Sequence, residues 1–190
     1  MDALKRRKQP ARVRAALLDA VVQEATQRGL GGVTVLGVAE RAGVSKGALF
    51  HHFANRQQLL EAAYADCLLR FADELDAILA RDTLAHGRFT RAYVTATFDA
   101  MQTEDRSWAK FSLTALVEPA FADLWRNWLA VRLEEFPAER ADPHLRAARL
   151  AADGFWLQML GCWQEDSDAA KRQVLLQCIL GMTKGESPMR

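Results

Sequence analysis

Between Ser45 and His52 the chain reads SKGALFHH, a stretch that offers hydrogen-bond donors and not one carboxylate. Lys46, His51 and His52 carry groups that give protons, while Gly47 and Ala48 keep the outer profile low. That chemistry suits a groove of double-stranded DNA. Donors meet base edges and phosphate oxygens, a small surface lets a backbone come close, and an acid would repel the phosphates. An ordinary helical hairpin with a polar outer face carries the same pattern, so the surrounding elements have to decide.

Those elements are two very short apolar patterns. Val35, Val38, Ala39 and Ala42 form the first, and Val44, Leu49 and Phe53 the second, hinged at Gly43. Helices this short do not persist alone and must be packed by neighbours. Thr34 and Ser45 are natural caps, since a hydroxyl accepts from an orphan backbone N–H. Gly43 ends the first helix because glycine takes the left-handed conformation without a Cβ penalty. Two short helices at a steep angle, joined by a tight glycine turn, are the helix-turn-helix that reads DNA.

The residues Thr34-Val35, Val38-Ala39, Ala42 to Gly47 and Leu49 to Phe53, followed by Asn55-Arg56 and Leu59-Leu60, resemble the N-terminal signature of the TetR family of transcriptional regulators. The resemblance runs over residues 12–63. It implies that Lys46, Gly47 and Ala48 face base edges and that Phe50, His52 and Arg56 lie beside the DNA backbone. Thr34 is implied at a helix start that abuts a phosphate. Two positions depart from the family: Phe50 stands where tyrosine is frequent, and Val35 where threonine or serine is, so two hydroxyl-to-phosphate bonds are missing. Backbone affinity then falls to arginines and lysines.

Charge is distributed accordingly. Residues 1–60 hold ten Lys and Arg against four acids, and residues 61–190 hold fifteen against twenty, a balance of +6 against −5. A basic first third containing a helix-turn-helix is the footprint of a DNA-binding face. Residues 1–10 are expected to be a basic flexible arm, with Pro10 preventing an unbroken helix. Residues 11–56 are then the DNA-binding domain of three helices, 57–184 a larger helical domain for ligand binding and dimerisation, and 185–190 a fraying tail. The fold class is all-α, about nine helices in total by apolar periodicity.

With half of 190 residues apolar and 26% charged, the chain is an ordinary globular one. No run is long enough for a membrane span and none reads as a secretory signal, which points to the cytoplasm and to no membrane partner. Cys67, Cys162 and Cys178 sit singly, so buried reduced thiols are expected. No metal ligand set or cofactor motif is present, and no GxSxG, HExxH or GxGxxG pattern marks an enzyme. No catalytic residue is assigned.

After Phe53, a helix capped by Asn55 runs from Leu59 to Ile78 without proline or glycine and bridges the two domains. A tilt of its far half would move the reading helices. Further helices break near His86-Gly87, around residues 103–105 and at Pro119. All five tryptophans fall after position 100. Aromatic and sulfur-bearing residues at Tyr93, Phe98, Met101, Trp108 and Phe111 fill a core or line a cavity, as do Trp125, Trp128, Trp156 and Met159. We read the group as a cavity for an apolar or aromatic guest.

The last two helices, starting after Asp142 and after Ser167 or Asp168, are apolar around much of their circumference. Ala147, Ala151, Gly154 and Phe155 on one, with Val174, Cys178 and Ile179 on the other, are expected to face a second copy in a four-helix bundle, as the resemblance also implies. The expectation is a homodimeric regulator bound to a palindromic operator, released by an effector. An architectural DNA-binding protein with no effector is the alternative.

Overall fold

Caps and glycines set the helix boundaries largely where the sequence puts them. The computed structural model describes the backbone of residues 2–102, 105–160 and 168–185, and their side chains except those of 2–9, 115 and 116. Among the described residues ten α-helices follow one another and there is no strand. They are α1 (Asp2–Arg28), α2 (Val35–Arg41), α3 (Lys46–His52), α4 (Arg56–Leu79), α5 (Arg88–Ala100), α6 (Ser107–Ser112), α7 (Pro119–Glu134), α8 (Pro137–Ala141), α9 (Pro143–Leu160) and α10 (Ala169–Gly181). Among the described helices none is long and apolar enough to cross a membrane.

Two boundaries differ from expectation. Helix α1 runs through Pro10, so the first ten residues are not a separate arm. Proline forfeits one ladder bond and crowds the preceding turn at roughly 3 kcal/mol, and the lysines, arginines and alanines on either side are strong helix formers that carry the helix past it. The helix beyond the expected nine is α8, which arises at Pro137: Phe136 before it is held at φ −128° and ψ 61°, because a residue preceding proline is pushed out of the helical region. Residues 103–104, 161–167 and 186–190, which include Cys162, Ser167 and most of the expected tail, lie outside the described residues.

The chain forms two compact units. Unit 1 comprises Met1–Leu68 and Lys110–Leu124, and unit 2 comprises Leu69–Ala109 and Trp125–Arg190. Helix α4 is covalently continuous across that division, giving its first half to unit 1 and its second to unit 2.

Unit 1 is built on Leu17, Leu18, Val21, Val38, Leu49, Leu59 and Leu60, all essentially inaccessible to solvent. Tyr64 of α4 stacks on Phe121 at 4.9 Å and meets Phe111 at 6.2 Å. Burial pushes its phenol far above the usual range, with the neighbouring Cys67 adding to the effect.

Unit 2 centres on α5 packed against α9, where Phe98 and Phe155 stack at 3.8 Å. The N-terminus of α5 is capped from elsewhere in the sequence. Glu139 accepts from the backbone N–H of Phe89 and of Thr90, each at 2.9 Å, and from the Thr90 hydroxyl at 2.8 Å. Just before that helix Gly87 has φ +71°, and a Cβ there would lie 2.6 Å from the Thr183 carbonyl oxygen. Arg91 ties the same corner to Asp82 at 2.6 Å and to the His86 carbonyl at 2.6 Å. That guanidinium is the main reason the Asp82 carboxyl is held below its ordinary value.

Candidate DNA interface

Helix α3 buries one residue, Leu49, and turns the rest outward. Ser45, Lys46, Gly47 and His51 are exposed, Ala48 and His52 part-exposed, and Phe50 is 44% exposed. The Ser45 hydroxyl oxygen accepts the Ala48 N–H at 3.1 Å, and the Thr34 hydroxyl oxygen accepts the Gly37 N–H at 3.0 Å. Each hydroxyl keeps its own proton to donate outward. Between the two helices Gly43 sits at φ +67°, which makes the tight turn possible.

The charges on this face have identifiable neighbours. Lys46 Nζ stands 5.8 Å from the centre of the Phe50 ring, so the phenyl group that replaces a hydroxyl-bearing side chain supports a cation instead. The Arg14 guanidinium lies over Phe53 at 5.5 Å.

Arg56 has a different task from the one expected of it. Its Nε donates to the Val33 carbonyl at 2.6 Å and its Nη2 to the Leu30 carbonyl at 2.5 Å. It therefore clamps the turn that leads into α2, and those two donors are not available to phosphate. The reason is tertiary: the first turn of α4 comes up against the carbonyls of the Leu30–Gly32 turn, a proximity that the spacing in sequence does not reveal. Behind this clamp is a cavity of about 130 Å³ lined by Leu30, Gly31, Arg56, Gln57, Leu60, Glu118 and Phe121.

A second internal brace was also missed from the sequence. Glu24 of α1 is 2% exposed and accepts from Arg41 Nε of α2 at 2.7 Å. Gly37 lies against it, for a Cβ there would come within 3.2 Å of Glu24 Oε2. Glutamate at a core-facing position of α1 was the available signal.

The residues expected to line a ligand cavity do not form one group. Phe111 belongs to unit 1, in the cluster with Tyr64 and Phe121, because α6 is divided between the units. Phe98 and Met101 are core residues of unit 2, and Trp156 and Met159 pack partly buried against that core. Tyr93, Trp125 and Trp128 do come together, joined by Phe71 of α4. Trp108 carries the Arg70 guanidinium at 4.0 Å from its ring centre.

The residues expected at a subunit interface also divide. Phe155 and Ile179 are each only 3% exposed and fill their own chain's core, since the inner faces of α9 and α10 pack on α5. Ala147 and Ala151 are part-exposed, and Gly154, Val174 and Cys178 lie open. The exposure of Cys178 differs from the buried thiol expected; Cys67 is part-buried.

Comparisons with known proteins agree with this geometry. Residues 17–63 match the family model described as bacterial regulatory proteins, tetR family, and residues 87–184 match the tetracyclin repressor-like C-terminal domain. The HTH-type transcriptional regulator BetI of Paraburkholderia phymatum is 33% identical over 159 residues, covering 76% of this chain and 80% of that protein. A TetR-family member from Streptomyces coelicolor shares the fold at TM-score 0.69 and 24% identity, over 90% of this chain and 98% of its own. The multidrug binding protein EbrR, solved with malachite green, gives TM-score 0.69 at 22% identity, over 90% and 97% of the two chains. With an outward-facing reading helix behind a capped glycine turn and both halves of the family's architecture matched, the chain belongs to the TetR family of DNA-binding transcriptional regulators, which are not enzymes.

Proposed function

We propose that the protein is a cytoplasmic homodimer that holds two copies of α3 about one turn of DNA apart, roughly 34 Å, and represses transcription from a palindromic operator. Thr34, Ser45, Lys46, Gly47, Ala48, Phe50, His51 and His52 make the contacts, with Lys46, Gly47 and Ala48 at base edges. A small apolar or aromatic molecule bound in unit 2 favours a conformation with the wrong spacing, and only its differential affinity for the two states drives release. Helix α4, continuous through both units, carries the change.

The observation that carries the dimer is the outer face of α9 and α10. Leu150, Leu157 and Val174 are 59%, 43% and 64% exposed, and nothing lies within 4 Å of where a Cβ of Gly154 would stand. Ala147, Leu150, Ala151, Gly154 and Leu157 share one side of α9 by their three- and four-residue spacing. Two such helix pairs related by a twofold axis bury this surface in a four-helix bundle. The aromatic group around Tyr93, and a structural relative solved with a bound dye, support a small-molecule effector.

Sedimentation of the wild type and of a Leu150→Asp/Val174→Asp variant tests the reading, together with selection of bound fragments from random DNA. A dimer, a symmetric site and loss of both in the variant are expected. A wild-type monomer, or equal affinity for all sequences at physiological salt, would leave the architectural alternative.

A further inference from the structure

Unit 2 contains a line of polar groups that starts in the core and ends near its surface. Glu139 and Arg149 are 4% and 6% exposed. Arg149 Nη1 donates to the Thr90 hydroxyl oxygen at 2.6 Å, and that hydroxyl donates on to Glu139 Oε2 at 2.8 Å. One helical turn further along α9, Asp153, which is part-exposed, accepts the Tyr93 hydroxyl. Among the described residues no cationic group lies within ion-pair distance of Asp153; Arg149 acts on it only across space, its hydrogen bonds going to Thr90 and the Glu139 carbonyl. Two carboxylates thus share one guanidinium. The set is one positive charge short, and a carboxylate even partly withdrawn from water gains from a cationic partner.

Aromatic rings gather around Tyr93, the residue whose hydroxyl Asp153 holds. Phe71 meets Tyr93 edge-on at 5.7 Å, and Trp125 lies 6.3 Å from Tyr93. Trp125 and Trp128 stack at 5.2 Å, and Trp128 closes on Phe71 at 5.6 Å. Phe71, Trp125 and Trp128 are each half-buried, so a guest enters by exchanging ring–ring contacts for ring–guest contacts. The negative faces of aromatic rings attract cations. One carboxylate and one phenol offer too few oxygens to replace the shell of an inorganic cation.

We infer that Asp153 and this aromatic wall recognise a monovalent organic cation, its apolar body against Phe71, Trp125 and Trp128 and its charge beside Tyr93 and Asp153. The inference rests on the ligand-responsive reading above and names the class of ligand.

Phenyltrimethylammonium and tert-butylbenzene have the same shape and differ in charge, so their dissociation constants, from tryptophan fluorescence and calorimetry on the full chain, decide. The cation is expected to bind at least about tenfold tighter, and Asp153→Asn, which keeps an acceptor for Tyr93, is expected to abolish the preference. If that variant does not fold, the wild-type comparison decides alone. Equal or tighter binding of tert-butylbenzene overturns the cation assignment while the apolar pocket stands. Binding of neither overturns both, and a preference that survives in a folded Asp153→Asn variant removes Asp153 from the site.

Discussion

Arg41 Nε of α2 donates to Glu24 Oε1 of α1 at 2.7 Å, and Arg41 Nη2 reaches Gln27 of the same helix at 2.7 Å. This pair joins the first element of the DNA-reading pair to its support. Glu24 is nearly sealed, with Arg28 at 3.2 Å from its second oxygen, whereas the Arg41 side chain is 27% exposed. Removing only Arg41 leaves a buried carboxylate with one weak partner. Arg41→Ala is expected to cost about 2–3 kcal/mol in urea unfolding, at or just below the roughly 3–5 kcal/mol of fully buried pairs because Arg41 is partly solvated. The double variant Glu24→Leu/Arg41→Leu should lose less than Arg41→Ala alone, and a larger loss would show the pair to be net stabilising.

Arg56→Ala separates clamp from phosphate contact. Each hydrogen bond from a charged donor is worth about 1.5–3 kcal/mol, discounted here because Arg56 is part-exposed. Stability should fall by about 2 kcal/mol while the slope of log affinity against log salt stays unchanged. A slope reduced by about one would restore Arg56 to the DNA backbone.

Ser45→Ala and Lys46→Ala should fail differently. Losing the Ser45 cap costs about 1 kcal/mol of stability and weakens binding through a frayed α3. Losing Lys46 leaves stability unchanged and reduces operator affinity by about 1–3 kcal/mol, with relaxed sequence preference at one position. Melting curves paired with operator titrations distinguish them, and equal melting losses in both would misplace Lys46.

Gly43 and Gly87 share a positive φ but not their surroundings. Nothing lies within 4 Å of a Cβ at Gly43, whereas one at Gly87 meets the Thr183 carbonyl at 2.6 Å. Gly43→Ala should cost only the left-handed penalty, about 1–2 kcal/mol. Gly87→Ala adds a backbone clash and should cost clearly more; similar melting temperatures for the two would contradict this.

Asp153 sets a pH dependence. Burial raises its carboxyl above the unfolded value, against the opposing Tyr93 hydrogen bond and Arg149. The folded chain therefore binds more protons in the window above about pH 4, and stability falls as pH rises through it. Asp153→Asn does not titrate. Without ligand it should melt close to wild type at the acid end and above wild type at pH 7, and a difference that does not change with pH would remove the effect.

Local signals were enough for the reading unit. Thr34, Ser45, Asn55 and Asp142 all cap the helices expected of them, with side-chain oxygens 2.8 to 3.1 Å from the first-turn N–H groups. Capping, glycine turns and apolar spacing act over three or four residues and are written in adjacent letters, as is the lack of acids on α3. Charge balance needs only counting.

Neighbouring letters alone therefore specify an all-helical chain with a basic reading helix exposed near its start. The long-range partner that each charge and ring meets follows instead from how distant helices pack. Arg56 turns to Leu30 and Val33, Glu139 caps a helix fifty residues before it, and Phe111 joins Tyr64 instead of the tryptophans. The division has a physical cause: helix spacing shows which side chains share a face, whereas packing of distant helices selects the donor, acceptor or ring opposite them.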